Sequence, residues 1–171
     1  MGLPSVLKNM MLFNEGQNYM GEVKTVTLPP LTRKIEEWRG GGMPGAIGID
    51  MGMDGLLEMA STFGGPMRDI LRQFGVLLVN GVYLRWVGFH QKDDTGATDT
   101  VEVIVRGRHN EVDMGDQEVG EVGEFKVTTT LAYFKLVWNG RTEIEYDPLN
   151  GVFIVNGVDL MAQQRASLGM F

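Results

Sequence analysis

The chain has 171 residues, with 24 glycines, 12 methionines, two histidines, no cysteine and a net charge of −7. That length suits one domain able to bury about 70% of the surface its unfolded form exposes, so a core needs no metal or disulfide. Absent cysteine excludes disulfides, thiolate zinc sites and cysteine nucleophiles, and the acidity argues against a protein that grips nucleic acid by its phosphates.

In chain order, residues 1–8 lack a charged region ahead of an apolar core, so no secretory signal is expected. The opening Met1-Gly2 fits myristoylation poorly, because Val6 stands where Ser or Thr is wanted. No apolar run approaches the ~18 residues of a membrane span, so no membrane anchor is expected. From there strand signals dominate. Residues 19–28 alternate from Glu22, with Val23 and Thr25 on one face, and stop at Pro29-Pro30. Residues 18–30 are therefore expected to form an N-terminal arm or strand. Residues 31–38 predict a second extended or short helical piece. Residues 39–55 then carry seven glycines and Pro44 among Met43, Ile47, Ile49, Met51 and Met53. A stretch so long and glycine-rich predicts a flexible Gly/Met loop.

Residues 56–63 predict a strand that Gly64-Gly65-Pro66 ends. Met67, Ile70, Leu71 and Phe74 at helical spacing predict a short amphipathic helix over 66–74 with Gly75 as its C-cap. Residues 82–89 and 98–108 predict two strands about the turn Asp94-Thr95-Gly96, the second with Val101, Val103 and Val105 on one face. An acidic loop follows, then alternation rich in threonine over 124–137 and a strand over 142–146. Of four Asn-Gly pairs, Asn139-Gly140 is the strongest hairpin signal, since Asn-Gly supplies the positive φ of a two-residue turn. A helix is predicted over 158–168, with Gly169 as its cap. No repeat or internal boundary interrupts the chain, so residues 1–171 read as a single, mainly β domain.

The charge is uneven. Residues 1–90 balance eight basic against eight acidic side chains, and residues 91–171 carry the whole −7. Ten acids lie within 93–124, against Arg106 and Arg108. They suit either a solvated loop or one acidic face that repels polyanions and sheet edges.

Motif matches to known chemistry fail on context. Gly40 to Gly45 spells G-x-G-x-x-G, but Pro44 and Gly48 prevent the helix whose N-terminus would meet a phosphate. The run Asp50-Met51-Gly52-Met53-Asp54-Gly55 imitates a calcium loop, yet its third position, which needs an oxygen ligand, is Gly52, and its twelfth, which needs a bidentate Glu, is Ser61. His90 near Asp93 and Asp94, and His109 near Glu111 and Asp113, form pairings that an acidic chain produces by chance. No catalytic residue, metal or cofactor is expected. Unpaired strand edges and adaptable methionines suit instead a subunit that docks on its neighbours, although the same Gly/Met loop could cover its own core.

Several words in the chain carry a resemblance: Leu12-Phe13-Asn14-Glu15-Gly16, Asn18-Tyr19-Met20-Gly21, Thr27-Leu28-Pro29, Leu31-Thr32-Arg33-Lys34, Arg39-Gly40-Gly41-Gly42-Met43, Asp93-Asp94-Thr95-Gly96, Val105-Arg106-Gly107-Arg108, Tyr133-Phe134 and Val155-Asn156-Gly157-Val158-Asp159. In this order and spacing the chain resembles the major tail tube proteins of contractile-tailed bacteriophages and the related tubes of phage-tail-like bacteriocins. The resemblance implies a two-sheet antiparallel β-barrel or sandwich with one short internal helix, a C-terminal helix and a long assembly loop. It implies hexameric rings stacked into a hollow tube inside a contractile sheath, driven through the host envelope. Such a tube conducts DNA without binding it specifically, or in a bacteriocin depolarises the target. Tape-measure, baseplate and tail-terminator proteins are the further partners implied, with assembly in the host cytoplasm and a final place in the virion tail. Arg39, Gly40, Gly41, Gly42 and Met43 carry over as ring contacts. Met51 and Met53 are added as adaptable docking side chains, and Asp93, Asp94, Glu102, Asp113, Asp116 and Glu118 are candidates for an acidic lumen. The alternatives are a type VI secretion-like tube subunit and a small β-barrel module that binds a ligand or substrate at its acidic loop.

Overall fold

The computed structural model describes residues 2–170. Its strands are β1 (Val6–Asn14), β2 (Gln17–Asn18), β3 (Val23–Thr27), β4 (Arg33–Trp38), β5 (Ile47–Met53) and β6 (Leu57–Phe63). After helix α1 (Arg68–Gln73) come β7 (Val82–Gln91), β8 (Thr98–Asp113), β9 (Phe125–Trp138), β10 (Arg141–Asp147), β11 (Val152–Val155), β12 (Val158–Asp159) and helix α2 (Ala162–Leu168). Ten strands form one antiparallel sheet in the order β12-β11-β10-β9-β8-β7-β1-β2, with β6 and then β3 branching from β9; β4 and β5 pair only with each other. The expected mainly β, sandwich-like fold with two helices is present, and the sheet does not close into a barrel.

The branch follows from strand length. The first half of β9 pairs with β6, from Phe125 opposite Phe63 to Leu131 opposite Leu57, and its second half pairs with β10. One face of the strands turns inward and makes the core. Val101, Val103 and Val105 meet Leu12, Leu84, Trp86 and Phe134, while Phe63 stacks edge-on against Tyr19 and Phe125. Each such side chain withdrawn from water contributes about 1.5–3 kcal/mol.

Helix α1 is tied down by polar contacts. Gln73 Nε2 donates to Asn14 Oδ1 (3.0 Å), Asn14 Nδ2 donates to Gln73 Oε1 (2.7 Å), and the Tyr19 hydroxyl donates to Asp69 (2.7 Å). His109, buried on β8, lies 3.2 Å from Gln73 Oε1 through Nε2 and 2.9 Å from Thr129 Oγ1 through Nδ1. Gln73 Oε1 can only accept, so the imidazole proton sits on Nε2 and the Thr129 hydroxyl donates to Nδ1.

Several expectations need correction. Residues 39–55 are not one loop: Ile47–Met53 is strand, leaving only 39–46 as the connection. The expected arm over 18–30 divides into β2, a turn and β3. Gly75 does not cap α1, which ends at Phe74 with right-handed φ of −59°. Strand β8 runs on to Asp113, so Glu111 and Asp113 lie on strand, not in the acidic loop. The final helix starts at Ala162, because the Asn156-Gly157 turn first returns the chain as β12, and Asp159 Oδ1 then accepts from Met161 N (3.0 Å). Its Gly169 cap is left-handed as expected, with φ 67°.

The hairpin turn between β9 and β10 forms as predicted, with Asn139 at φ 49° and Gly140 at φ 82°. Asn139 also accepts from Thr100 N (2.8 Å) and donates to Asp99 (3.0 Å), which ties the turn to β8. Asn139→Ala is expected to lose about 1–2 kcal/mol in urea unfolding, from left-handed strain plus the lost bonds. Asn139→Gly is expected to lose less, because it keeps the φ.

Candidate assembly surfaces

The β4–β5 hairpin stands out because every residue of β4 is exposed. Alternation divides it into two faces. Ile35, Glu37, Gly48 and Asp50 share one; Trp38 opposite Ile47 and Glu36 opposite Ile49 set the other, which Met51 continues. Trp38 is 55% exposed and Met51 60%, so the second face is an apolar stripe in water. Glycine serves the hairpin locally. A Cβ on Gly48 would come within 2.5 Å of Ile35 Cγ2, and the register slips near Gly52, whose φ of 98° few other residues adopt. Beside that slip, Asp50 accepts from Gly52 N (2.8 Å) and from Arg33 (2.6 Å), and the Gly52 bond first, then Arg33, holds its carboxyl below the usual range.

The structure groups Arg39, Gly40, Gly41, Gly42 and Met43 at the hairpin tip. Gly40 N donates to the Met43 sulfur (3.0 Å), and Arg39 Nε reaches the Met43 carbonyl (3.4 Å). Met51 and Met53 lie at the base instead, where Met53 packs on the core. With Asp50, Tyr146, Phe153 and Met161 they line an open cleft of about 770 Å³ between the hairpin and β10, β11 and α2. The same neighbourhood is braced by Arg165, which pairs with Asp159 and donates to the Gly151 carbonyl (2.9 Å).

The acids do not form one patch on the subunit. Asp93 pairs with Lys8 (2.8 Å), and Asp94 accepts from Leu3 N (2.9 Å), a bond that leads in holding its carboxyl below the usual range. These two therefore clip the N-terminal segment at one end of β8. Asp113, Asp116 and Glu118 lie at the other end, about 50 Å away at strand rise for the 16 residues of β8. There they line an open cleft of about 530 Å³ with Glu121, Glu124 and Lys126. Glu102 sits between, on the outer face, and accepts from Arg85 Nε (2.5 Å), while the Arg85 guanidinium lies 5.0 Å from the Phe13 ring centre. Arg85→Ala is expected to lower stability by about 1 kcal/mol, more at low salt than high, in paired urea titrations.

The histidines hold no acids in metal geometry. His90 stacks on Trp138 and meets the edge of Trp86, and His109 turns inward. Among the described residues no three His, Asp or Glu side chains gather as a ligand set, and no helix is long and apolar enough to cross a membrane. A surface that sequence reasoning missed spans the end of α1 and the segment after it: Leu71, Phe74, Leu77, Leu78 and Val79 are all exposed. Its signal was present, since Val76 to Val79 is an apolar run without alternation or a partner strand.

Residues 4–169 match the family model described as phage tail tube protein FII. The tail tube protein of Escherichia phage P2 is 41% identical, over 99% of this chain and all of the relative. The major tail tube protein of Serratia phage KSP20 is 32% identical, over 98% of this chain and 96% of the relative. Among solved structures, a chain of the PVC sheath–tube complex of an extracellular contractile injection system, in its extended state, superposes with a TM-score of 0.57 at 9% identity. It covers 78% of this chain and 91% of its own. That likeness is one of fold.

Proposed function

This chain belongs to the phage tail tube protein FII family and is a structural subunit of the tail, not an enzyme; from that premise we propose how its surfaces build the tube. Six copies close into a ring, and rings stack into a hollow tube within a contractile sheath. The observation that carries this reading is the β4–β5 hairpin. A lone two-stranded hairpin is marginal in water, and one with a bare apolar stripe needs a partner. Arg39 to Met43 at its tip and Met51 and Met53 at its base are the ring contacts. Asp93, Asp94, Glu102, Asp113, Asp116 and Glu118 give the assembled bore its negative sign, which repels phosphate and lets DNA slide. The tape-measure protein fills the bore before DNA does, and baseplate and terminator close the two ends. Assembly from soluble subunits in the host cytoplasm precedes incorporation in the virion. Both full-length relatives are phage tail tube proteins, which favours this reading over a type VI tube or a ligand-binding module.

Negative-stain microscopy of purified protein tests the assembly. Striated tubes about a hundred ångströms across, a few domain diameters, are expected, with six-fold rings in end views. A chain that stays monomeric at millimolar concentration would overturn it. Reversing Asp113, Asp116 and Glu118, which make no ion pair among the described residues, to lysine tests the bore: DNA ejection slowed with tubes intact is expected, and unchanged ejection removes their role.

A further inference from the structure

The exposed Leu71–Val79 surface and the apolar stripe of the hairpin are two unpartnered apolar features of the subunit, and they sit at opposite ends of one strand. The hairpin runs into β6 at Leu57, whereas α1 follows β6 from Phe63. The seven residues of β6 separate the two attachment points by about 20 Å. The hairpin base lies beside β10, β11 and α2, at one margin of the sheet. By contrast, α1 is hydrogen-bonded through Gln73 and Asp69 to Asn14 and Tyr19, at the β1–β2 margin. Two different surfaces at opposite ends are what a head-to-tail contact needs, whereas a two-fold contact uses one surface twice.

The two surfaces also match in chemistry. Leu77 is 88% exposed and Leu78 68%, with Leu71, Phe74 and Val79 around them. Their rim is basic: Arg72 is on the same helix, and Arg108 Nη1 donates to the Leu77 carbonyl (3.1 Å). On the hairpin, Trp38, Ile47, Ile49 and Met51 form the apolar stripe, and Glu36 shares its face on β4, whereas Glu37 turns to the other face. Lys34 lies 3.4 Å from Glu36, an exposed pair weak enough for a neighbouring guanidinium to replace. An apolar centre meets an apolar centre, and an acid at its edge meets arginines.

We propose that the Trp38/Ile47/Ile49/Met51 stripe of one copy docks on the Leu71–Val79 surface of the next copy, with Glu36 set against Arg72 and Arg108. This rests on the tube reading above and names the surface that receives the hairpin. It also explains the buried polar tether of α1, because a receiving surface must be held in place before its partner arrives.

The chain has no cysteine, so introduced pairs report without background. Ile49→Cys and Leu78→Cys are made singly and together, and assembled material is oxidised. The double variant is expected to give a ladder of covalent oligomers on a non-reducing gel. An equimolar mixture of the two single variants is expected to give dimers, and each single variant alone to stay monomeric. In parallel, hydrogen exchange of the unsubstituted chain is followed before and after polymerisation. Amides of 47–51 and of 71–79 are expected to slow together by at least tenfold. Tubes in which 47–51 gains protection and 71–79 does not, or in which the mixed variants never cross-link, overturn the proposed pairing while leaving the tube intact. Absence of any tube from the unsubstituted chain overturns the tube reading itself.

Discussion

Trp38→Asp combined with Ile49→Asp is expected to stop tube formation while leaving the folded subunit intact. Trp38 is 55% exposed and Ile49 42%, both on a hairpin outside the core, so the monomer loses little on their replacement. In an assembly each buries its remaining apolar surface, worth about 1 kcal/mol, and a carboxylate in its place adds a desolvation cost of about 1–3 kcal/mol. The pair therefore removes at least about 3 kcal/mol per contact, more than a hundredfold in its association constant. A tube repeats that contact at every subunit, so the critical concentration rises beyond reach. Sedimentation velocity is expected to show a monomer where the parent chain pellets, with thermal unfolding within a few degrees of the parent. Ile47→Val, which removes one methylene, is expected to shift the critical concentration only several-fold. Tubes from the double Asp variant at parental concentration would show that the stripe is not a contact.

How far the sequence foretold this molecule depended on whether the pattern was set by side chains or by their absence. Val101, Val103 and Val105 alternate with polar residues, and their strand and inward face were readable at once. Asn139-Gly140 named its own turn, because few other pairs take two consecutive positive φ values. The hairpin was hidden by the same rule. Ile47, Ile49 and Met51 alternate with Gly48, Asp50 and Gly52, and the glycines that signal flexibility in composition are here spaces for Ile35 and for a register slip. Strand β1 was missed because Met10, Leu12 and Asn14 turn inward while Met11 and Phe13, equally apolar, turn outward. The acids show a further limit. Their concentration in residues 93–124 was plain, but β8 runs through the middle of that segment and carries its ends apart. The contribution of Gln73 and Asn14 to a buried network with His109 had no signal in the chain, since 59 residues separate the first pair.

That network yields the second large effect. Burial pushes the His109 imidazole down to about 4 from 6.5, with the nearby Asp69 charge opposing the shift only in part. The folded state thus keeps His109 neutral down to about pH 4, while the unfolded chain takes up a proton near 6.5. Between those values the unfolded state binds more protons, so stability is full above pH 6.5 and falls as pH drops toward 4, by about 3 kcal/mol in all. Below that both states are protonated at this site and its contribution stops changing. Asp94, Glu124 and Asp159, each held below the usual carboxylate range, add their own loss only in the more acidic region. His109→Gln is the control. It is expected to cost about 1–3 kcal/mol at pH 7, from the bonds to Thr129 and Gln73, and to flatten the slope of unfolding free energy between pH 6.5 and 4. Equal slopes in parent and variant would assign the acid sensitivity to other groups. Protonation adds its proton at Nδ1, against the Thr129 hydroxyl, and keeps the Nε2–H bond to Gln73, so acid weakens the whole subunit, the platform that carries Leu71 to Val79 included, through the buried charge and not through loss of that bond. A partner docked on that platform binds only the ordered form, so tubes are expected to survive mild acid that unfolds free subunits. Matched pH titrations of the two states, read by near-ultraviolet circular dichroism, measure the difference.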